Sequence, residues 1–226
     1  MRRSFFVLSA LALSLVAIGC SQKKPSAPAP EPAAPIEVPK PEVREEIPEV
    51  VCEEVRKEII IADFDSGAKP NNIGGDFGSW DKDPGDTTQG ASMAFNPDQK
   101  YGKDGFCLEL DYDVDTQNPA YNGFWMKLKD IDASAYDKLV MYIKGDDVKG
   151  YPQKVKIELK NARGETGKAY ITQISGTWAP IEVPFSSFQG INDFSDLTEF
   201  TVVFEDSVSR PKTGTIYLDN IGFARD

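Results

Sequence analysis

Histidine is absent from the 226 residues, and that absence narrows the chemistry before any motif is read. Catalysis through a histidine base, histidine-bound zinc or haem, and imidazole pH switching are all excluded. Paired carboxylates and oxygen donors for hard cations remain, but 36 acidic residues make a chance pair easy to find. An enzyme of that kind would draw on Asp76, Asp81 or Glu109. Carboxylates set in apolar sequence are more informative. Asp63 and Asp65 stand two apart in IIIADFD, and Asp219 stands inside GTIYLDNIGF. Aromatic rings form the second group. Trp80 closes the run NNIGGDFGSW, and in GFWMKL the residues Phe124, Met126 and Leu128 alternate with Trp125 and Lys127. If the first set faces a core, the ring and the ammonium face outward together on one sheet.

The elements that must position these groups read as short strands. Alternating or β-branched runs occur at 59–64, 92–96, 106–114, 123–128, 138–144, 154–161, 168–174, 179–183, 199–204 and 214–223, separated by Gly, Asn, Asp and Pro. Helical periodicity is almost missing; one-turn helices are allowed only at 132–136 and 185–188. This profile predicts an all-β fold, an antiparallel β-sandwich or jelly roll, whose first and last strands meet. The stretch 65–80 reads as a loop that presents Trp80, with Gly74, Gly75 and Gly78 supplying positive φ. No helix follows it, so it is not a phosphate cradle.

Ahead of the strands lie two segments of other character. Residues 1–20 have a basic start, an apolar run from Phe5 to Ile18, then Gly19-Cys20. That is the form of a secretory signal, too short for a comfortable span. Its ending resembles a bacterial lipobox, which implies cleavage before Cys20 and lipidation of that residue. Ser21 lacks the aspartate that commonly retains such proteins at the inner membrane, so the expected address is the outer membrane or cell surface. Residues 21–58 hold eight of the sixteen prolines and are expected to form a disordered, extended tether of ~3 Å per residue. The predicted domain is 59–226. Cys52 and Cys107 allow one bridge in an oxidising compartment; the alternative is a buried, apolar Cys107.

Lys and Arg number 25 against 36 Asp and Glu, a net charge of −11, and loss of a leader carrying Arg2 and Arg3 makes the remainder more acidic still. Nucleic acid is not an expected partner. Such a surface suits neutral ligands or cations.

From ADFDSG through NNIGGDFGSW, AYNGFWMKLKDIDASAYDKLVMYIKGD and GTWAPIEVPFSSF to GTIYLDNIGF, the order and spacing of segments resemble the galactose-binding-like jelly rolls found as carbohydrate-binding modules, most nearly those of family 11. The resemblance implies a non-catalytic module for a polysaccharide or cell-envelope glycan. It also implies a structural Ca2+ between the first and last strands, with Asp63, Asp65 and Asp219 as ligands. Sugar rings present flat C–H faces, so aromatic platforms flanked by polar groups are expected to bind them. Trp80, Tyr101, Tyr121, Trp125, Lys127 and Tyr170 are the candidates, whereas Trp178 matches a position that packs the sandwich end. Because the fold also serves other roles, an envelope scaffold binding a protein or peptidoglycan partner stays open.

The anchor is directly testable. Each buried CH₂ of an acyl chain contributes ~0.8 kcal/mol to membrane attachment, so Cys20→Ser is expected to move the protein from the membrane to the soluble fraction. A variant that still sediments with membranes at high salt contradicts the lipobox reading.

Overall fold

A computed structural model describes residues 57–226. The leader, Cys20, the Pro-rich segment up to residue 56 and Cys52 lie outside the described residues.

Among the described residues eleven strands follow one another: β1 (Glu58–Ala62), β2 (Phe77–Asp81), β3 (Gly90–Asn96), β4 (Cys107–Asp113), β5 (Tyr121–Ile131), β6 (Lys138–Gly145), β7 (Val155–Asn161), β8 (Thr166–Ile171), β9 (Ala179–Pro184), β10 (Leu197–Glu205) and β11 (Thr213–Ala224). A single 3₁₀ turn, Phe185–Ser187, follows β9. They form two antiparallel sheets, one in the order β3-β4-β11-β6-β9 with β1 also on β11, the other in the order β2-β5-β10-β7-β8. This is the jelly-roll sandwich that the strand pattern predicts. The first and last strands meet as expected, with Glu58 opposite Ala224 and Ile59 opposite Phe223.

The core is made by one alternate set from each sheet. Phe124, Met126 and Leu128 of β5, Phe200, Val202 and Phe204 of β10, and Ile157 and Leu159 of β7 are buried against Leu108 and Leu110 of β4 and Ile216 and Leu218 of β11. Tyr112 of β4 stacks on Phe204 of β10, with centroids 4.1 Å apart and planes 9° apart, and so joins the sheets. Each fully buried aliphatic or aromatic side chain contributes about 1.5–3 kcal/mol, and a one-residue slip of any strand would turn these groups to solvent.

Two sequence expectations are corrected. Phe77–Asp81 is not loop but strand β2, an edge strand on β5 with Phe77 opposite Met126 and Trp80 opposite Gly123. Of the three glycines read as positive-φ, only Gly74 has such a value, 81°. Gly75 instead meets a close backbone: a Cβ there would come 2.0 Å from the Lys127 carbonyl oxygen. Cys107 is a free, fully buried thiol, which burial pushes up to about 12, so it is not poised for thiolate chemistry.

Candidate functional site

The outward set of the five-stranded sheet makes the site. In β5, Phe124 and Met126 are fully buried, while Trp125 and Lys127 lie on the opposite face. Pairing then sets the neighbours. Trp80 lies opposite Gly123 and Trp125 opposite Gly78, so each indole has a partner with no side chain. The Trp125 indole lies close over Gly78: a Cβ on that glycine would come 3.2 Å from the indole nitrogen. On β10, Thr201 is paired with Trp125, Glu199 with Lys127 and Glu205 with Tyr121. On β7, Glu158 is paired with Thr201, Lys160 with Glu199 and Lys156 with Val203.

The outcome is a groove of about 510 Å³ lined by Trp80, Tyr121, Trp125, Lys127, Glu158, Lys160, Glu199 and Thr201. Its aromatic wall is ordered by ring contacts and cations. Trp80 meets Tyr121 edge to face at 5.7 Å. Lys127 and Lys69 place their ammonium groups 5.5 and 5.9 Å from the Trp125 ring, and Lys82 lies 5.1 Å from that of Tyr121. Tyr121 is 42% exposed and offers an accessible apolar surface. The buried Trp80 Nε1–H has no acceptor among the described residues.

Its polar floor is an ion-pair network. Glu199 accepts from Lys127 at 2.6 Å and from Lys160 at 2.5 Å. Burial pushes the Glu199 carboxyl up, but the two ammonium groups outweigh this and hold it below the ordinary glutamate range. Lys156 bonds Glu205 at 2.8 Å and Glu158 at 3.2 Å. Burial disfavours its charge, and the two carboxylates more than restore it. Tyr170, 47% exposed, lies on the same face at β8, opposite Lys156, with Lys154 4.2 Å above its ring.

The expected residues are thus divided. Trp80, Tyr121, Trp125 and Lys127 come together, and Tyr170 stands farther along the same sheet. Tyr101 does not join them. It stacks on Tyr142 of the other sheet at 3.8 Å and meets Trp178 edge to face, while Trp178 donates to the Gln99 carbonyl at 2.9 Å. Nor do Asp76, Asp81 and Glu109 converge. Asp76 pairs with Lys69, Asp81 accepts from the Ala91 N–H, and Glu109 pairs with Lys149. Glu158, Lys160, Glu199, Thr201 and Glu205 were missed, although the alternation in KVKIELK (154–160) carries a signal: its charged members must share one face. A larger cleft of about 810 Å³ lies between the edge strands β8 and β9, but Tyr170 is its only aromatic lining residue, and it offers no extended platform.

The three aspartates read as cation ligands lie near one another. Asp219 is buried under the Tyr101 segment and accepts the N–H groups of Tyr101 at 3.2 Å and Asn220 at 2.8 Å. Burial raises its pKa to about 7 against those bonds, and the Asp65 and Asp63 carboxylates add to the rise. Asp65 is raised by burial, then by Asp63 and Asp104. Asp63 holds a turn, accepting from the Asp65 N–H and the Asn72 amide. Carboxylates repelling one another around a buried member are a charge pattern that a hard cation relieves. Among the described residues, however, no three acidic or thiol side chains are grouped as a metal site, so side chains alone do not form a cage.

The comparisons agree with this architecture. The model of the family described as "Carbohydrate binding domain (family 11)" matches residues 48–220. The chain is similar in structure to the family 11 module of a cellulosomal cellulase of Clostridium thermocellum, at 24% identity and a TM-score of 0.55, over 75% of this chain and 95% of that one. It is likewise similar to the Clostridium thermocellum family 11 module in complex with a β-1,3-1,4-mixed-linked tetrasaccharide, at 23% identity and a TM-score of 0.56, over 74% and 95%. No curated protein matches the chain.

The ion-pair floor predicts a pH dependence. A carboxyl whose folded pKa lies below its unfolded value of ~4.3 stabilises the protein fully above that value, and the contribution is lost as pH falls through the folded pKa. Glu199→Gln is therefore expected to cost about 1 kcal/mol at neutral pH, with the difference from wild type shrinking below pH 4. Urea unfolding at both pH values checks this, and a difference independent of pH contradicts it.

Proposed function

Since this chain belongs to the family 11 carbohydrate-binding domains, we propose that a polysaccharide chain lies along Trp80, Tyr121 and Trp125 in the groove of the five-stranded sheet. The protein is a binding module and not an enzyme. The observation that carries the placement is the alignment of three rings on one face beside a floor of ammonium, carboxylate and hydroxyl groups. Rings supply apolar contact to the C–H faces of sugars, and the polar floor fixes their orientation. The β-linked tetrasaccharide of the similar Clostridium thermocellum module supports a β-linked chain as ligand.

Lipidation at Cys20 holds this module at a bacterial envelope membrane, with the outer membrane or cell surface as its address. Calcium, proposed at Asp63, Asp65 and Asp219, would neutralise the carboxylates between the first and last strands and fasten the two ends of the sandwich.

Two measurements test these readings. Trp125→Ala is expected to weaken polysaccharide binding about tenfold, ~1.4 kcal/mol, and to leave the melting temperature nearly unchanged, because the indole lies on the outer face. A loss of about 3 to 5 kcal/mol in stability would place this ring in the core instead, and unaltered binding by a stable variant would remove the groove from recognition. For calcium, a cation bound only by the folded state at 100 times its dissociation constant adds about 2.7 kcal/mol. The melting temperature should rise in millimolar calcium and fall with chelator. An unchanged curve in both contradicts the cation site.

A further inference from the structure

The chain as a whole is acidic, at −11, which by itself suits neutral ligands or cations. The groove and its continuation toward Tyr170 reverse that sign. One carboxylate, Glu199, is shared by two ammonium groups, Lys127 and Lys160, so this part of the floor keeps one positive charge. Lys156 lies between Glu158 and Glu205, which leaves one negative charge. Toward β8 two more lysines have no carboxylate partner among the described residues: Lys154 over the Tyr170 ring, and Lys168, exposed on β8 opposite Glu158, where it also lines the β8–β9 cleft. From β5 to β8 the face therefore carries five ammonium groups against three carboxylates, while at the aromatic wall Lys69 is matched by Asp76 and Lys82 adds a further positive charge beside Tyr121; the five strands, ~4.8 Å apart, span roughly 19 Å.

Proximity decides which charge a ligand feels. At physiological ionic strength the screening length is ~8 Å, so a sugar lying in the groove senses these lysines more than the acidic remainder of the surface. The arrangement is also directional. The aromatic wall is at β2 and β5, where apolar contact is offered, and Lys154 and Lys168 are at the β7–β8 end.

Resting on the polysaccharide reading of the groove, we infer that the bound glycan is anionic, with sugar carboxylates or sulfate esters turned toward Lys160, Lys154 and Lys168 while its rings lie on Trp125 and Tyr121. An incoming anion competes with Glu199 for Lys160 and meets Lys154 and Lys168 without displacing any partner. The net acidity of the protein then acts as a filter. It repels polyanions elsewhere on the surface and admits them where the lysines gather, so charge complementarity sets specificity more than raw affinity.

Three matched hexasaccharides on one β-1,4 gluco-configured backbone test this by calorimetry: neutral, oxidised at C6 to the uronate, and sulfated at C6. The expected result is that an anionic member binds about tenfold more tightly than the neutral one at low salt, with the advantage falling as salt rises. The preferred anion then identifies carboxylate or sulfate. The double variant Lys154→Gln/Lys168→Gln should lose most of that advantage, and Lys100→Gln/Lys103→Gln, the same loss of charge away from the groove, should keep it. Neutral hexasaccharide binding as well as both anionic ones would overturn the inference and leave the polysaccharide reading standing. So would an anionic preference that the double variant retains. Binding of none of the three would overturn both.

Discussion

Burial of Phe124, Met126 and Leu128 between the two sheets is the constraint on which the site depends. These side chains fix the register of β5 against β10, and the pleat then leaves Trp125 and Lys127 no choice but the outer face. A slip by one residue would bury the indole and the ammonium and expose three core groups, an exchange costing several kcal/mol. The proposed recognition surface is therefore held by the core and not by its own contacts. The groove of rings and paired charges is thus an outcome of the strand register.

Small residues complete the arrangement. Gly78 and Gly123 lie across the β2–β5 pair from Trp125 and Trp80, and Val203 and Thr201 follow on β10. A side chain at Gly123 would collide with the backbone, since a Cβ there comes 2.0 Å from the Val202 carbonyl oxygen. The depth of the groove is thus an outcome of strand packing, and the large groups rise at its edges. Among them Glu199, bonded to two lysines, holds the floor in one geometry.

Much of this was legible in the sequence where one face of a strand is apolar. The alternation of β5 predicted both its core set and its outward pair, and the matched character of the two end segments predicted their pairing. What was not legible has physical causes. Strand β2 has only Phe77 buried in the core, and its FGS reads as turn sequence; pairing with β5, not local propensity, makes it a strand. Tyr101 looked like the other exposed rings, but its segment folds back over β11, where Asp219 accepts its N–H and Tyr142 stacks on it. Glu199 and Lys160 are 39 residues apart, and only the β10–β7 register brings them together.

Ligand is proposed to meet the outer face of the five-stranded sheet through Trp80 and Trp125. The chain has three tryptophans, and the third, Trp178, lies with Tyr101 and Tyr142 on the other sheet. A titration with a bound oligosaccharide, followed by the three indole N–H resonances in a nitrogen-15 correlation spectrum, therefore reads the claim at its own atoms. The resonances of Trp125 and Trp80 are expected to shift with saturation while that of Trp178 stays fixed. Movement of Trp178 with the other two unchanged would place the binding face on the opposite sheet.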